Sequence, residues 1–394
     1  MKDESNIGGL NMAVECPFDL TNKRQVIEFE ETDPYNPHNI VKGYINRRQG
    51  QLYGALWITH INGEKCEQLI YSAPKQHYPF NKDKNGIREW EFPECDYVEL
   101  YEKLDGTCII SYVYKDCNDA HYLTFKTRLR PFLGEGKYGN FFQLWNEMLE
   151  KYPSINNLCS KNYTYNFVFE LYGKRNKILI DYDVSLDTKL IFIVDRNDGR
   201  ISPPTKLVKG LPVLKVWGEL EYGDIDSEDY LDIQKNLEDD LIVDEENKIL
   251  KGMEGLVWYF IKDNCAKQIK CKPPSILKYH WSGDAIPYES IFITVINAFE
   301  NFDEPTFDDV VELLLEEFDE SKIEKSNVRI KKILKSVFFD KKLQYKLAED
   351  YKKHGFNINE DKVTCMRWFG AHYPKDLSTK IYQLLKSYED KKSD

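Results

Sequence analysis

Lys103 is the residue around which this sequence could build a reactive site. It ends an apolar, alternating run that starts at Val98, and Asp105-Gly106 follows one residue later, ahead of a second apolar run over residues 108–113. Two strand-like runs joined across Asp-Gly predict a β-hairpin. A lysine beside that bend has its amine held near a sharply turning backbone, and a neutral amine is a nucleophile that can attack phosphorus.

Cations and carboxylates elsewhere in the chain would support such an amine. A free lysine is protonated at neutral pH, and nearby cations and desolvation lower its pKa. Lys270 and Lys272 stand at i and i+2 of a predicted strand, so both ammonium groups share a face and could reach a single phosphate. Glu170 and Glu254 lie on strand-like runs near glycines, where carboxylates can bind a metal ion with its phosphate. Individually, strand glutamates and Lys-x-Lys pairs are common at protein surfaces.

Alternating apolar residues predict the strands that would position these groups. Beyond the two around Asp-Gly, predicted strands cover residues 52–58, 69–71, 122–128, 167–183, 190–194, 249–261 and 266–271, with Asn62-Gly63 as a hairpin turn. Helical periodicity predicts helices over residues 140–151, 291–299, 307–318, 328–339 and 377–388, and a short surface helix within 224–246. Thr306 and Asp309 form a predicted capping box. We expect an α+β domain with antiparallel sheets over residues 1–284, followed by an all-helical domain over residues 285–394.

Composition excludes several classes of protein. At 394 residues, 42% hydrophobic and 14% aromatic, the chain is long enough for two or three folded domains. No apolar run approaches the ~20 residues of a membrane span, the first residues are not those of a signal peptide, and the nine cysteines form no Cys-x-x-Cys pair. We expect a cytoplasmic protein (in the host cytoplasm if the source is viral), with no membrane partner, disulfide framework or structural zinc.

The charges are unevenly distributed along the chain. A formal net charge of −12 is unusual for a protein that binds nucleic acid. Eleven acidic residues and one lysine lie between Asp224 and Glu246, whereas basic residues cluster at positions 126, 128 and 130, at 174, 175 and 177, and at 267, 270, 272 and 278. A solvated surface explains any one cluster. Three clusters next to candidate groups favour a phosphate-bearing ligand.

The order of these features resembles motifs I, III, IIIa, IV and V of the covalent nucleotidyltransferases, the superfamily of DNA ligases, RNA ligases and mRNA capping enzymes. The matching segments are residues 103–106, 169–171, 190–194, 254–257 and 270–272. Residues 169–182 are most similar to the phage RNA ligase 1 branch, which the helical C-terminal domain also suits. DNA ligases and capping enzymes append an OB domain, and no all-β tail follows here.

This resemblance implies a nucleotidyltransferase (ATP-grasp-like ligase) fold and an ATP-dependent RNA ligase. Lys103 would attack the α-phosphate of ATP, the AMP would pass to an RNA 5′-phosphate, and a 3′-hydroxyl would displace it. The implied cofactors are ATP and Mg²⁺, with Mn²⁺ as an alternative. The implied substrate is single-stranded or nicked RNA, with tRNA as one case, in RNA or tRNA repair; no obligate protein partner is evident.

The resemblance also implies a role for individual residues. Lys270 and Lys272 would hold the α-phosphate, and Asp105 and Gly106 complete the motif of the nucleophile. The remaining roles are ribose binding or amine orientation by Glu170, metal binding by Glu170 and Glu254, adenine packing by Phe192 or Ile191, recognition of the adenine amino group by the Glu102 backbone, contact with phosphates or the RNA end by Lys126 and Arg128, and nucleotide contact by Tyr35.

The sequence departs from the family in one place that matters. The family carries Arg-Gly upstream of the nucleophile, with the arginine on the β- and γ-phosphates, whereas this chain has Tyr53-Gly54. The family's downstream Lys-Phe-Phe-Asn is also altered, over residues 77–81. Arg47, Arg48 or Lys75 could substitute; otherwise pre-adenylated RNA would be a better substrate than ATP.

Two other functions stay open at this point. A capping-type guanylyltransferase would use the same lysine with GTP, and a non-catalytic RNA-binding protein could share the fold. For the helical domain, recognition of structured RNA and a purely stabilising role are both open.

Overall fold

The computed structural model describes most of the chain, in two compact units. It describes residues 15–22, 25–48, 50–82, 88–136, 139–176, 178–204, 211–221, 225–244, 249–276, 286–315, 318 and 320–393. Unit 1 comprises residues 1–135 and 141–278, and unit 2 comprises residues 136–140 and 279–394. The predicted boundary between residues 284 and 285 lies outside the described residues.

The strands of the described residues are β1 (Val26–Thr32), β2 (Ile40–Asn46), β3 (Leu56–Ile61), β4 (Glu64–Ile70), β5 (Phe80–Lys82), β6 (Arg88–Trp90), β7 (Tyr97–Glu102), β8 (Gly106–Lys115), β9 (His121–Thr127), β10 (Glu135–Gly136), β11 (Gly139–Asn140), β12 (Tyr165–Tyr172), β13 (Asp187–Asp195), β14 (Ile201–Ser202), β15 (Val216–Glu221), β16 (Ile242–Asp244), β17 (Ile249–Lys251), β18 (Leu256–Lys262) and β19 (Cys265–Cys271). The α-helices are α1 (Phe141–Lys151), α2 (Pro153–Lys161), α3 (Ser227–Asp239), α4 (Tyr288–Asn301), α5 (Phe307–Leu314), α6 (Glu320–Lys353), α7 (Lys362–His372) and α8 (Ser378–Ser393).

A large antiparallel sheet forms the centre of unit 1. Its strand order is β15-β7-β18-β19-β14-β13-β12-β8-β9, and neighbouring strands pair antiparallel. Apolar side chains from both ends of this order, among them Tyr101 of β7, Ile110 of β8 and Tyr259 of β18, belong to one buried cluster. The sheet therefore folds over on itself, and its two ends face each other across this inner cluster.

The predicted hairpin around Lys103 is wrong. β7 pairs with β15 and β18, whereas β8 pairs with β12 and β9, so the two strands around Asp105-Gly106 are not neighbours. The Asp-Gly pair is instead a crossing between the two ends of the folded sheet. Gly106 is required there because a Cβ at this position would lie 2.1 Å from the carbonyl oxygen of Leu171.

Helices cover the outer face of the sheet. Trp145 of α1 and Ile155 of α2 are fully buried in a second cluster, together with Ile109 and Phe169 of the sheet. The helix predicted over residues 140–151 is confirmed as α1 and the surface helix within 224–246 as α3, whereas α2 was not predicted. A separate sheet, β1-β2-β3-β4, packs through Ile58 and its neighbours on the far end of β8.

Glycines end strands that the pattern predicted as longer. The strand predicted over 167–183 ends at Tyr172, because Gly173 adopts a φ of 127°. The strand predicted over 249–261 is broken between β17 and β18, with Gly252 at a φ of 124°. The prediction of a turn at Asn62-Gly63 is confirmed by positive φ values of 53° and 83° between β3 and β4.

Unit 2 is helical throughout its described C-terminal part. The predicted helices at 291–299 and 328–339 lie within α4 and α6, the one at 377–388 begins one residue before α8, and the one at 307–318 corresponds to the shorter α5, while α7 was not predicted. The capping box of Thr306 and Asp309 is confirmed at the start of α5. The fold class, α+β with antiparallel sheets and a helical C-terminal region, is therefore confirmed. None of the described helices has the length and apolar character required to cross a membrane.

Candidate active site

The side chains of Lys103 and Lys272 meet on one carboxylate. The Lys103 Nζ donates to Glu254 Oε2 at 2.5 Å, and the Lys272 Nζ lies 2.9 Å from Glu254 Oε1. Lys272 and Glu254 are each 6% exposed, whereas Lys103 keeps 21% of its side chain exposed. The nucleophile candidate is therefore the most accessible member of this lysine–glutamate cluster.

Strand pairing explains why these residues converge. Leu256 of β18 lies between Glu102 of β7 and Cys271 of β19 in the hydrogen-bonded register. One step further, the Lys103 N–H donates to the Gly255 carbonyl at 2.8 Å. A Cβ on Gly255 would lie 2.1 Å from the Cys271 carbonyl oxygen, so only glycine allows this approach.

Glu254 is an ionised carboxylate despite its burial. Burial opposes ionisation, but the ammonium groups of Lys103 and Lys272 lower the pKa of Glu254 to about 2. A buried carboxylate that neutralises two ammonium groups makes removal of any one partner costly. Glu254 thus neutralises two ammonium groups that would otherwise repel each other at close range.

Glu170 faces the same side of the sheet. It pairs with Cys108 of β8, and its neighbour Phe169 points to the opposite face, where its ring lies 5.3 Å from Trp145. Burial raises the pKa of Glu170 to about 7, although Lys103 and Arg128 both lower it. Glu170 is thus within electrostatic range of Lys103 and can change its protonation state near neutral pH.

Apolar and aromatic groups complete the surroundings. Phe192 is buried in the inner cluster with Tyr259, whose hydroxyl donates to the Ile191 carbonyl at 2.8 Å. The Lys270 ammonium lies 4.4 Å from the ring centroid of Tyr78, and its backbone N–H donates to the His77 carbonyl at 2.9 Å. Lys270 lies over the Tyr78 ring and Lys272 pairs with Glu254, and contact of both lysines with a single phosphate stays a prediction.

The segment after the nucleophile is anchored through Asp105. Its Oδ2 accepts hydrogen bonds from the backbone N–H groups of Leu179 and Ile180, at 2.5 and 2.7 Å. Its own N–H donates to the Tyr182 hydroxyl at 2.8 Å. Burial and nearby Glu254 raise the pKa of Asp105 to about 6, against the lowering effect of those N–H groups. Asp105 thus fixes the backbone that follows Lys103 to the segment of residues 179–182.

Two predicted residues lie at its border. Burial raises the pKa of the Glu102 carboxyl, which is only partly exposed, and its backbone lies in the β7–β18 register next to Lys103. Arg128 is partly buried and close enough to Glu170 and Cys108 to affect the pKa of each. Their contacts with adenine and with phosphate stay predictions.

Lys126 is not placed for the contact with phosphates or the RNA end that the family resemblance implied. It shares a face with Ile110, but the chain around Gly54 and Ser72 covers it completely. Its Nζ donates to the Gly54 carbonyl at 3.0 Å, the Arg128 carbonyl at 2.8 Å and the Ser72 hydroxyl at 3.3 Å. Burial lowers the pKa of Lys126 to about 7. The residue ties strands together and cannot reach RNA.

Tyr35 is not at the candidate site either. Its ring lies 5.1 Å from Phe125 and 5.0 Å from Phe142, in the cluster beneath α1. That cluster occupies the face of the sheet opposite Glu170. The prediction of a nucleotide contact by Tyr35 is therefore wrong, because strand pleating places its packing partners on the outer side.

The departure at Tyr53 leaves that position without a cation. Tyr53 is buried, and Gly54 keeps its glycine because a Cβ would lie 2.3 Å from the Arg128 carbonyl oxygen. Arg47 and Arg48 follow β2 of the separate sheet. Of the three candidate substitutes, Lys75 comes two residues before His77, which pairs with Ile269 of β19, the strand that leads to Lys272.

The donor set fits a metal ion that is shared with a phosphate. Among the described residues, no group of three His, Cys, Asp or Glu side chains is placed to hold a metal. Glu170 and Glu254 supply two carboxylates beside the cluster. Mg²⁺ commonly binds one or two carboxylates and completes its shell with phosphate oxygens and water. The site therefore fits Mg²⁺ or Mn²⁺ only together with a nucleotide.

Comparison with known proteins gives distant structural matches only. No protein-family model matches the chain, and no curated protein matches it either. An archaeal ATP-dependent RNA ligase (form 2) superposes with a TM-score of 0.42 at 14% identity, covering 83% of this chain and 81% of that one. A Naegleria gruberi RNA ligase with PPi superposes with a TM-score of 0.33 at 13% identity, covering 65% and 98% of the two chains. A variant of that ligase with ATP and Mn gives 0.34 at 11% identity, over the same shares.

Matches at this level assign no role to any residue of this chain. They give no particular support to the phage RNA ligase 1 branch, which stays a prediction. The roles proposed below rest on the side chains described above.

Sequence reasoning missed residues that hold the site from the side. Tyr182 and Asn176 lie within the segment that resembles the family, yet no role for them was predicted. The sequence marks Tyr78, which lies beneath Lys270, only as a departure from the family pattern. Each acts through a contact with a residue far along the chain, and nothing in the local sequence signals such a contact.

Proposed function

We propose that this chain is an ATP-dependent RNA ligase that joins 5′-phosphate and 3′-hydroxyl ends through lysyl-AMP and adenylylated-RNA intermediates, in RNA or tRNA repair. The observation that carries this proposal is the bridge from Lys103 through Glu254 to Lys272, in which Lys103 and Glu254 are 151 positions apart in the chain. A merely solvated lysine would need no such convergence. Adenylyl transfer requires carboxylates, ammonium groups and an apolar surface for the adenine, and these are supplied by Glu170 and Glu254, by the lysines, and by the residues around Phe192.

In the first step, the Lys103 amine attacks the α-phosphorus of ATP. A nitrogen–phosphorus bond forms, the bond to the pyrophosphate oxygen breaks so that pyrophosphate leaves, and the amine releases a proton to solvent. Lys270 and Lys272 stabilise the negative charge that develops on the phosphate. The triphosphate replaces Glu254 as the anion facing both Lys103 and Lys272, which frees the Lys103 amine for attack.

In the later steps, AMP moves from Lys103 to the 5′-phosphate oxygen of RNA, and the 3′-hydroxyl oxygen then attacks that phosphate and releases AMP. Phe192 or Ile191 packs on the adenine, the Glu102 backbone reads its amino group, and Arg128 contacts the RNA phosphate. Glu170 and Glu254 hold the divalent metal, which neutralises phosphate charge when bound. Glu170 also orients the amine or the ribose.

Labelling with α-³²P-ATP tests the first step. We expect wild-type protein to retain the label after denaturing electrophoresis, and Lys103→Ala to lose it by about a thousandfold or more. Lys262→Ala is the matched control, because Lys262 lies at the far end of β18 in an exposed pair with Glu94. Labelled Lys103→Ala would place the nucleophile elsewhere. Labelling by GTP alone would identify a guanylyltransferase. If neither nucleotide labels the protein and no strand is ligated, a non-catalytic RNA-binding protein is left.

A circularisation assay tests the strand-joining steps. Wild-type protein is expected to close 5′-phosphorylated single-stranded RNA with ATP, whereas matched DNA tests the strand preference. Pre-adenylated RNA without ATP reports the last step alone. Because Tyr53 supplies no cation for the triphosphate, we expect this substrate to be sealed faster than the ATP-dependent reaction proceeds.

We also propose that the helical region, residues 285–394, binds RNA through one face of α6. Exposed positions recur there every three or four residues and form a stripe that contains six lysines and one acidic residue: Lys325, Val328, Lys332, Lys335, Phe339, Lys342, Lys346, Glu349 and Lys353. At a rise of about 1.5 Å per residue, the stripe extends about 42 Å. A row of cations along one helix in a chain of net charge −12 supports a polyanionic partner.

Salt-dependent binding tests this stripe. In Lys332→Gln/Lys335→Gln, we expect weaker binding of 5′-phosphorylated RNA and a slope of log Kd against log salt reduced by about one per lysine. Labelling by ATP should not change. The control is Lys362→Gln/Lys375→Gln, which removes two lysines of the same unit outside the stripe. Equal affinity and slope in both variants would show that the stripe does not bind RNA.

A further inference from the structure

The chain between Lys103 and β8 is held by side chains and backbone groups from one later segment. We name Asn176, Leu179, Ile180 and Tyr182 the clamp. Leu179 and Ile180 donate their N–H groups to Asp105 Oδ2 at 2.5 and 2.7 Å. Tyr182 accepts the Asp105 N–H at 2.8 Å. Both the side chain and the backbone of the residue two positions after the nucleophile are therefore fixed by the clamp.

A second contact extends this hold to the start of β8. The Asn176 amide donates to the Thr107 hydroxyl at 3.0 Å and to the Leu171 carbonyl at 2.6 Å. Asn176 is 8% exposed, so these are buried hydrogen bonds whose loss would leave polar groups unsatisfied. The clamp thus holds the crossing on both sides of Gly106.

The clamp itself rests on a firm base. Ile180 is buried with Leu250 and Ile276 in a small apolar cluster. The Asp181 N–H donates to the Leu250 carbonyl at 2.8 Å. The Tyr182 ring packs edge-on against Tyr172, with centroids 4.9 Å apart. A segment anchored in this way can transmit its position to the chain that it binds.

Lys103 therefore lies between two fixed points. On one side its N–H donates to Gly255 at 2.8 Å in the β7–β18 register. On the other side the clamp fixes Asp105. Only Leu104, itself buried in the inner cluster, separates the two. The backbone at Lys103 is therefore held on both sides, and the side chain reaches Glu254 from this fixed backbone.

Resting on the function proposed above, we propose that Tyr182 is a positioning residue: its hydroxyl holds the Asp105 N–H and thereby aims the Lys103 amine for attack on the α-phosphate. Misplacing a reacting group by about 1 Å can cost about 100-fold in rate. The hydroxyl makes no contact with Lys103 itself, so its effect passes entirely through the backbone of residues 103–105. Binding of ATP and the later sealing step do not depend on the direction of the Lys103 amine.

Tyr182→Phe tests the proposal, with Tyr172→Phe as the matched control. Both substitutions remove one hydroxyl from the same pair of touching rings. The Tyr172 hydroxyl points instead to Asp187 Oδ2, at 3.5 Å, and makes no contact with the crossing. The measurements are the single-turnover rate of lysyl-AMP formation across ATP concentrations, and the rate of sealing of pre-adenylated RNA.

We expect Tyr182→Phe to lower the rate of lysyl-AMP formation at saturating ATP by about 10- to 100-fold. The ATP concentration at half-maximal rate and the sealing rate should stay within about twofold of wild type. Tyr172→Phe should match wild type in all three. A second variant, Asn176→Ala, should repeat the pattern of Tyr182→Phe, because it releases the same crossing at Thr107.

The possible failures are distinguishable. If wild-type protein is not labelled by ATP, the proposed function fails. If wild-type protein is labelled and Tyr182→Phe is labelled at the same rate, the positioning role is wrong. Parallel loss of labelling and sealing in Tyr182→Phe would also overturn it, because the hydroxyl would then support the fold as a whole.

Discussion

The lysines that contact Glu254 and the lysine at position 126 lie in the same unit, but their partners differ in kind. Lys103 and Lys272 share an ionised carboxylate, whereas Lys126 is surrounded by two backbone carbonyls and a hydroxyl. Around Glu254 the charges are balanced, and Lys103 stays partly exposed. Around Lys126 no anion is among the hydrogen-bond partners of the amine, and the side chain is fully covered.

This difference separates a reactive arrangement from a structural one. A carboxylate can exchange its place with a phosphate, because both are anions that accept hydrogen bonds from ammonium groups. Backbone carbonyls that tie Gly54 to Arg128 cannot leave without unfolding the local chain. Burial of a lysine is therefore a poor guide to function unless its partners are known.

Removing the carboxylate should have the larger effect. In Glu254→Gln, the ammonium groups of Lys103 and Lys272 lose their shared anion and repel each other at close range. We expect labelling by ATP to fall by about 100-fold or more and the free energy of unfolding to fall by about 3–5 kcal/mol. Labelling and urea denaturation measure the two effects.

Glu94→Gln is the control for this comparison. Glu94 pairs with Lys262 at 2.8 Å, but its side chain is 87% exposed. Exposed pairs contribute little to stability, so this variant should label and unfold like wild type. A Glu254→Gln protein that keeps wild-type labelling would remove the functional half of the comparison, since the carboxylate would then be dispensable.

The sequence could predict much of the site because its elements are local. The alternation around Leu256 and Ile269 predicts the β18–β19 hairpin, and this hairpin brings Lys272 beside Gly255. The periodicity of Phe141 to Lys151 likewise predicts α1. In each case the residues that define the element are also the ones that contact each other.

Long-range pairing could not be predicted in the same way. Asp105-Gly106 has the composition of a hairpin turn, but Asp105 is bound by Leu179 and Ile180, so β7 and β8 separate. The pattern around Lys126 gives it the correct face of β9, yet it cannot show that Gly54 covers that face. The predicted nucleotide contact of Tyr35 is wrong for the same reason, since its partner Phe142 lies on a helix that packs on the opposite face of the sheet.

The pH dependence of stability sharpens the comparison at Lys126, where the expected effect is smaller. Its folded-state pKa is about 7, below the ordinary 10.5. Between these values the unfolded chain binds a proton that the folded protein does not, so this residue makes stability rise with pH, by at most about 1.4 kcal/mol per unit. Below pH 7 both states are protonated and the slope vanishes.

Lys126→Met, of similar length and without charge, should lose that slope. Urea denaturation of both proteins from pH 6 to 10 measures it: the advantage of wild type over Lys126→Met is expected to grow as pH rises above about 7. Lys262→Met should show no such growth, because the Glu94 carboxylate raises the pKa of Lys262 instead.

Labelling by ATP in Lys126→Met should fall less than in Glu254→Gln, since Lys126 holds Gly54 and Arg128 rather than the nucleophile. Parallel stability curves for wild type and Lys126→Met would mean that Lys126 keeps its proton when buried, and the two lysine environments would then differ in geometry alone.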